Sequence, residues 1–248
     1  MSEEERFLIV NADDFGLTDE INRGIIEAHE RGIVTSASLM VRYPAATRAA
    51  EYARARPKLS VGLHFDIAEW RCHQGEWVSA YQVVASDDLP AVARELESQI
   101  TRFEELMNRM PTHLDSHQHV HKAEPARSLL LEKAARLNVP LRSCTNRVRY
   151  LGSFYGQTAD GTSYHDGISQ AHLASLLENL EPGWSELGCH PGYADNLDSA
   201  YLSEREEEVR VLCSAAILQA LEGSEVRLRS FHDFPKKNHE ARSPSFVI

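Results

Sequence analysis

Short apolar runs alternate with helical patterns along nearly the whole chain, and this alternation restricts the fold more than any other feature. The runs FLIVNA (7–12), IVTSASLMV (33–41), SVGLHF (60–65), THLDS (112–116), PLRSC (140–144), SELGCH (185–190) and EVRLRSF (225–231) read as strands. Between them, residues 19–31, 45–55, 89–109, 124–138, 168–179 and 202–221 carry helical periodicity. In the first of these helices Ile21, Ile25 and Ala28 share a face, and Thr18 stands where a helix cap belongs. Strands that each lead into a helix pair in parallel with the helices outside, as a barrel or an open sheet. The chain is therefore expected to be α/β. Its 248 residues suffice for one large domain, taken as 1–248. Residues 66–88 read as irregular, and 145–167 as a long loop or small β-insertion suited to a lid or a contact in a homodimer.

Composition excludes several classes. With 37 acidic and 26 basic residues the net charge is −11, which makes nucleic acid an unfavourable partner. No apolar run is long enough for a membrane span, and MSEEER lacks the basic start of a secretory signal, so a cytoplasmic location is expected. The four cysteines are scattered and form no CxxC, and so read as reduced and mostly buried thiols. NADDFG follows the first strand where a dinucleotide-binding chain would carry GxGxxG.

Four polar clusters stand at the ends of predicted strands: Asp13 and Asp14 in NADDFG, His64 and Asp66 in GLHFD, the run HLDSHQHVH (113–121), and His190 in GCHPGY. Parallel α/β folds gather their working groups at the carboxyl ends of strands, so the four clusters are expected to meet. In HLDSHQHVH, alternation places His113, Asp115, His117, His119 and His121 on one face of any extended stretch. Aspartate with two histidines leaves open positions on Zn²⁺, Mg²⁺, Mn²⁺, Co²⁺ or Fe(II). Metal-assisted hydrolysis and Fe(II)/O₂ oxidation both follow from that set. The βα rhythm favours hydrolysis, because the oxidases usually use an all-β fold. A phosphoesterase-like metallohydrolase and a non-catalytic sugar-binding protein are the alternatives.

The stretches LIVNADDFGLTDEINRGIIEAHERGIVTSASLMV, VGLHFD, PTHLDSHQHVH and LGCHPGY resemble the YdjC-like carbohydrate deacetylases, in the family's order and over roughly residues 7–195. The resemblance implies a distorted TIM-type (β/α) barrel of about seven parallel strands and removal of N-acetyl groups from amino sugars or chitooligosaccharide-like oligosaccharides. It implies one divalent ion, Mg²⁺ first and Zn²⁺ or another transition metal next, held by Asp14, His64 and His117. By the same matching Asp13 is the base and His190 the acid. Asp115, His119, His121 and Tyr193 are expected behind the metal ligands or against substrate. Trp70, Trp77, Phe154, Tyr155 and Tyr193 are candidates to stack on sugar rings, and Phe15 reads as core. Two departures from the chitooligosaccharide-type pattern stand out: Gln118, and the stretch 67–84, which should border the substrate.

Overall fold

The computed structural model describes residues 5–73, 75–195, 199 and 201–235. Its centre is strand β1 (Arg6–Phe15), buried from Phe7 onward. A strand covered on both faces must be apolar throughout, and FLIV supplies that. On one side β1 pairs with β8 (Gly183–Cys189). On the other it pairs with β2 (Ser36–Leu39) through its second half and with β9 (Val226–Arg229) through its first. Outward from β2 come β3 (Ser60–Phe65) and β6 (Leu114–Ser116), and outward from β8 comes β7 (Arg149–Leu151). All neighbours in this seven-stranded sheet are parallel. It curls into a partial (β/α) barrel with the helices outside, the architecture expected from the alternation.

The helices match the periodicity closely. Helix α1 (Asp19–Glu30) begins at Thr18, whose hydroxyl accepts from the Ile21 amide at 3.2 Å. Helices α2 (Ala46–Arg54), α3 (Leu89–Met107), α4 (Ala126–Leu137) and α5 (Gln170–Glu178) cover the sheet. The predicted helix 202–221 is two helices, α6 (Ser203–Leu212) and α7 (Ala215–Glu222). Ser214 breaks it by leaving helical geometry to cap Ile217 at 3.3 Å.

Three other regions differ from the sequence reading. PLRSC makes only one bridge, Leu141 to Leu114, because Pro140 lacks an amide hydrogen and Ser143 turns left-handed at φ 57°. Residues 66–88 contain a hairpin, β4 (Ala68–His73) and β5 (Glu76–Gln82), turning at Gly75 with φ 84°. The segment 145–167 contributes β7 to the main sheet. Of the cysteines only Cys189 is buried; Cys72, Cys144 and Cys213 are half-buried, and all four are free. Among the described residues no helix is long and apolar enough to cross a membrane.

Candidate active site

The carboxyl ends of β1, β3, β6 and β8 open on one cleft of about 920 Å³. Asp13, Asp14, His64, His117, His119 and His190 all line it. The geometry at Asp13 and Asp14 is unusual. Strict alternation would send neighbouring side chains to opposite faces, but the pairing of β1 with β2 shifts register between Ala12 and Phe15. Asp14 adopts φ 66°, so both carboxylates reach the cleft.

Asp14 Oδ1 faces His64 Nε2 at 3.4 Å and His117 Nδ1 at 3.2 Å. That oxygen is buried and accepts no hydrogen bond. Its partner Oδ2 takes a 2.6 Å bond from Arg205 on α6. Burial alone would raise the Asp14 carboxyl. Arg205 and the two imidazoles outweigh it and hold the group well below the ordinary carboxylate range. One carboxylate and two imidazoles thus converge within 4.8 Å of one another, the arrangement that suits a divalent cation.

The support behind these groups is a buried ion network. Asp115 Oδ1 holds His64 Nδ1 at 2.9 Å, and its Oδ2 accepts from Ser38 Oγ at 2.7 Å and from Arg142. His64 is driven well above its usual pKa despite burial, because Asp115, Asp14 and Asp13 surround it. Arg142 also donates to Asp13 Oδ1 at 2.6 Å and to Glu186 at 2.6 Å. Asn11 donates to the same Asp13 oxygen at 2.8 Å. That leaves Asp13 Oδ2 facing His190 Nε2 at 3.7 Å. At full ionisation Asp13, Asp14, Asp115 and Glu186 carry four negative charges against two guanidiniums, Arg142 and Arg205. Protonated His64 adds a third positive charge to this buried set.

His190 sits against Tyr155 and Tyr201, with ring centroids 5.4 and 5.7 Å away. Its amide donates to Glu208 and its carbonyl accepts from Arg205 at 3.2 Å. Burial pulls its pKa down. The cleft wall carries the hairpin's Trp70 and Trp77, 46% and 53% exposed, together with Tyr150, Phe154 and Tyr155. Phe15 is fully buried core.

The single histidine face expected in HLDSHQHVH does not extend over the whole run. β6 ends at Ser116, and Gln118 and His119 turn left-handed at φ 48° and 57°. His113 lies beneath the site. Its Nδ1 accepts from Thr112 Oγ1 at 3.0 Å, its Nε2 lies 3.0 Å from Ser38 Oγ, and Phe231 packs on its ring at 4.1 Å. His121 is buried behind the cleft with Nδ1 on Ser116 Oγ at 2.7 Å. Tyr193 is also outside the cleft, donating to Glu27 at 2.5 Å with Arg23 over its ring. Asp66 is withdrawn into a network with Arg42, Tyr43 and Tyr81.

Arg142, Glu186, Arg205 and Ser38 were not singled out in the sequence. Glu186 carried a signal, a charge in the middle of an apolar run. Arg205 carried none, standing among the many charges of SEREEEVR.

The model of the YdjC-like protein family matches residues 7–223. The chain belongs to the YdjC-like family. A carbohydrate deacetylase of Geobacillus stearothermophilus is 32% identical over 93% of this chain and 99% of its own length. A chitooligosaccharide deacetylase of Citrobacter koseri is 36% identical over 92% and 99%. A crystal structure from Enterococcus faecalis, described as a candidate cellobiose-phosphate cleavage protein, superposes with a TM-score of 0.75 at 27% identity, covering 92% and 98%. The catalytic domain of a peptidoglycan N-acetylglucosamine deacetylase of Eubacterium rectale shares the fold, with a TM-score of 0.57 at 10% identity over 96% and 94%. In this YdjC-like chain the matched region holds every strand and helix that lines the metal-competent cluster.

Proposed function

We propose that this YdjC-like protein is a metal-dependent hydrolase that removes N-acetyl groups from amino sugars. The observation that carries the reading is the unpartnered Asp14 Oδ1 facing two imidazole nitrogens, flanked by Asp13 and His190 in a deep cleft. Asp14, His64 and His117 would hold one divalent ion. That ion supplies Lewis acidity toward an acetamide carbonyl and a water. Two imidazoles with one carboxylate suit Zn²⁺, Mn²⁺ or Co²⁺ better than Mg²⁺, which prefers oxygen donors.

Asp13 is the base. Arg142 and Asn11 fix its Oδ1, so Oδ2 points into the cleft and takes the proton of the attacking water. His190, beside that oxygen, relays the proton that Asp13 has taken to the departing amine. Its ring is kept in place by the grip on its own backbone from Glu208 and Arg205. Asp115 fixes the ring of His64, and His119 reaches substrate or water on the cleft wall. Trp70, Trp77 and Tyr155 offer faces for sugar rings.

The test is acetate release by chelator-stripped protein from N-acetylglucosamine oligomers and other N-acetylated sugars. Each of Zn²⁺, Mn²⁺, Co²⁺ and Mg²⁺ is restored singly. Metal-dependent release that Asp13→Asn abolishes is the expected result. Release of phosphate from sugar phosphates with no acetate from any amide would replace the reading with a phosphoesterase.

A further inference from the structure

The two imidazoles of the cluster are supported unequally. His64 is held at both ends, Nε2 toward Asp14 and Nδ1 on Asp115 at 2.9 Å. His117 turns Nδ1 toward Asp14, and its Nε2 is buried without a hydrogen-bond partner. A histidine that binds a cation through one nitrogen carries its proton on the other, and that N–H needs an acceptor.

The group facing that nitrogen is Glu69, on β4, with Oε2 at 3.9 Å. That is about 1 Å beyond a hydrogen bond, a gap that small side-chain rotations close. Glu69 is already oriented, because Arg71 Nε holds its Oε1 at 2.7 Å. The adjoining backbone is docked as well. Gln118 accepts from the Trp70 amide at 2.8 Å and donates to the Trp70 carbonyl at 2.7 Å. Residues 69 and 70 of the hairpin are thereby registered against 117 and 118. The left-handed turn at Gln118 aims its amide at that strand.

We infer that Glu69 is the positioning residue for His117, accepting its Nε2 proton as Asp115 accepts that of His64. The inference rests on the metal reading of Asp14, His64 and His117. Its consequence is that the hairpin bearing Trp70 and Trp77 is part of the metal centre. The wall that meets the sugar and the ligand that meets the ion are one unit, clamped by Glu69 and Gln118.

Zn²⁺ affinity of the purified protein, measured by competition with a chelating dye, tests the inference without any substrate. Glu69→Ala should weaken binding about 10–100-fold, the usual effect of losing such a partner. Glu69→Gln keeps an oxygen acceptor and should stay within a few-fold of wild type. Gln118→Ala should fall between them. The visible spectrum of the Co²⁺ form should shift in Glu69→Ala and return toward wild type in Glu69→Gln. The ¹⁵N resonances of the His117 ring report whether Nε2 holds the proton, and serve if Glu69→Ala fails to fold. Unchanged affinity and spectrum in both Glu69 variants, with wild type binding tightly, would overturn the role of Glu69 alone. Wild type that binds no divalent ion would overturn the metal site itself.

Discussion

Arg142→Met should be among the most damaging single substitutions in the protein. Arg142 is 4% exposed and is the common partner of Asp13, Asp115 and Glu186, which are 3%, 1% and 1% exposed. Methionine fills similar space but leaves three carboxylates facing one another, with only His64, on Asp115, as a counter-charge. Removing one member of a buried ion network costs about 3–5 kcal/mol. In a chain of this length each kcal/mol lowers Tm by about 2–4 °C, so the fall should be roughly 6–20 °C. The loss also has a sign in pH. In wild type Arg142 and His64 hold Asp115 well below its ordinary range against the effect of burial, a contribution present above the unfolded carboxylate pKa. In the variant the orphaned carboxylates have raised values, and stability falls as pH rises through them. The gap between wild type and variant must therefore widen from pH 5.5 to pH 7.5. Circular dichroism melts of the metal-stripped proteins at both pH values measure it. Glu186→Leu added to Arg142→Met removes one uncompensated charge and should recover part of the loss. A variant melting within 3 °C of wild type at pH 7.5, or a gap indifferent to pH, would refute the charge-balance argument.

Burial pushes His113 down to about 3 and His121 down to about 4, so both are neutral in the folded protein while the unfolded forms titrate near 6.5. Their contribution is complete above the unfolded value and is lost as pH falls, about 2 kcal/mol for each histidine between pH 6.5 and 5. Chemical denaturation across that range should show the loss, and His113→Asn should flatten the slope. At Gly62 an added Cβ would lie 2.3 Å from the His113 ring. Gly62→Ala should therefore cost about 1–3 kcal/mol by urea denaturation and weaken the site through β3 and His64, and a neutral result would disprove that packing. Trp77 is 53% exposed on the cleft wall, so Trp77→Ala should leave Tm nearly unchanged. It should raise KM for N-acetylated oligosaccharides several-fold with kcat unchanged. A fall in kcat at constant KM would count against a sugar-stacking role.

Strands and helices were legible where periodicity and turn chemistry agreed. FLIVNA could only be a buried strand, and Thr18 marked the start of α1 within one residue. The hairpin at 68–82 was not legible, because it lies over the cleft mouth with most of β5 exposed, so no apolar face imposed an alternation. In the site, histidines and aspartates at strand ends announced themselves by residue type. The same reasoning overextended HLDSHQHVH, since side-chain parity holds only while the backbone stays extended, and Gln118 ends that. The long-range partners were silent for a different reason. Arg142 reaches Asp13 across 129 positions, and Arg205 reaches Asp14 across 191, so no local pattern records either pairing.

What the sequence does record, in NADDFG, is a backbone problem and its solution. Two adjacent carboxylates, Asp13 and Asp14, both reach the same cleft, yet an extended strand sends consecutive side chains to opposite faces. Asp14 resolves this by turning left-handed at φ 66°, at a cost of about 1–3 kcal/mol for a non-glycine residue. The next turn at Gly16, φ 93°, has no room for a side chain, because a Cβ would meet the Met40 carbonyl at 2.9 Å. Three bonds hold the turn: Leu17 amide to Asp14 carbonyl at 3.1 Å, Gly16 amide to Asn22 Oδ1 at 2.7 Å, and Met40 amide to Phe15 carbonyl at 2.7 Å. Arg205 then fixes the turned carboxylate by one oxygen and leaves the other facing His64 and His117. The order Asp-Asp-Phe-Gly follows from these demands: a fixed carboxylate, a turned one, a core anchor and a residue without a Cβ. Replacing Gly16 should therefore disturb Asp14 before it disturbs the barrel.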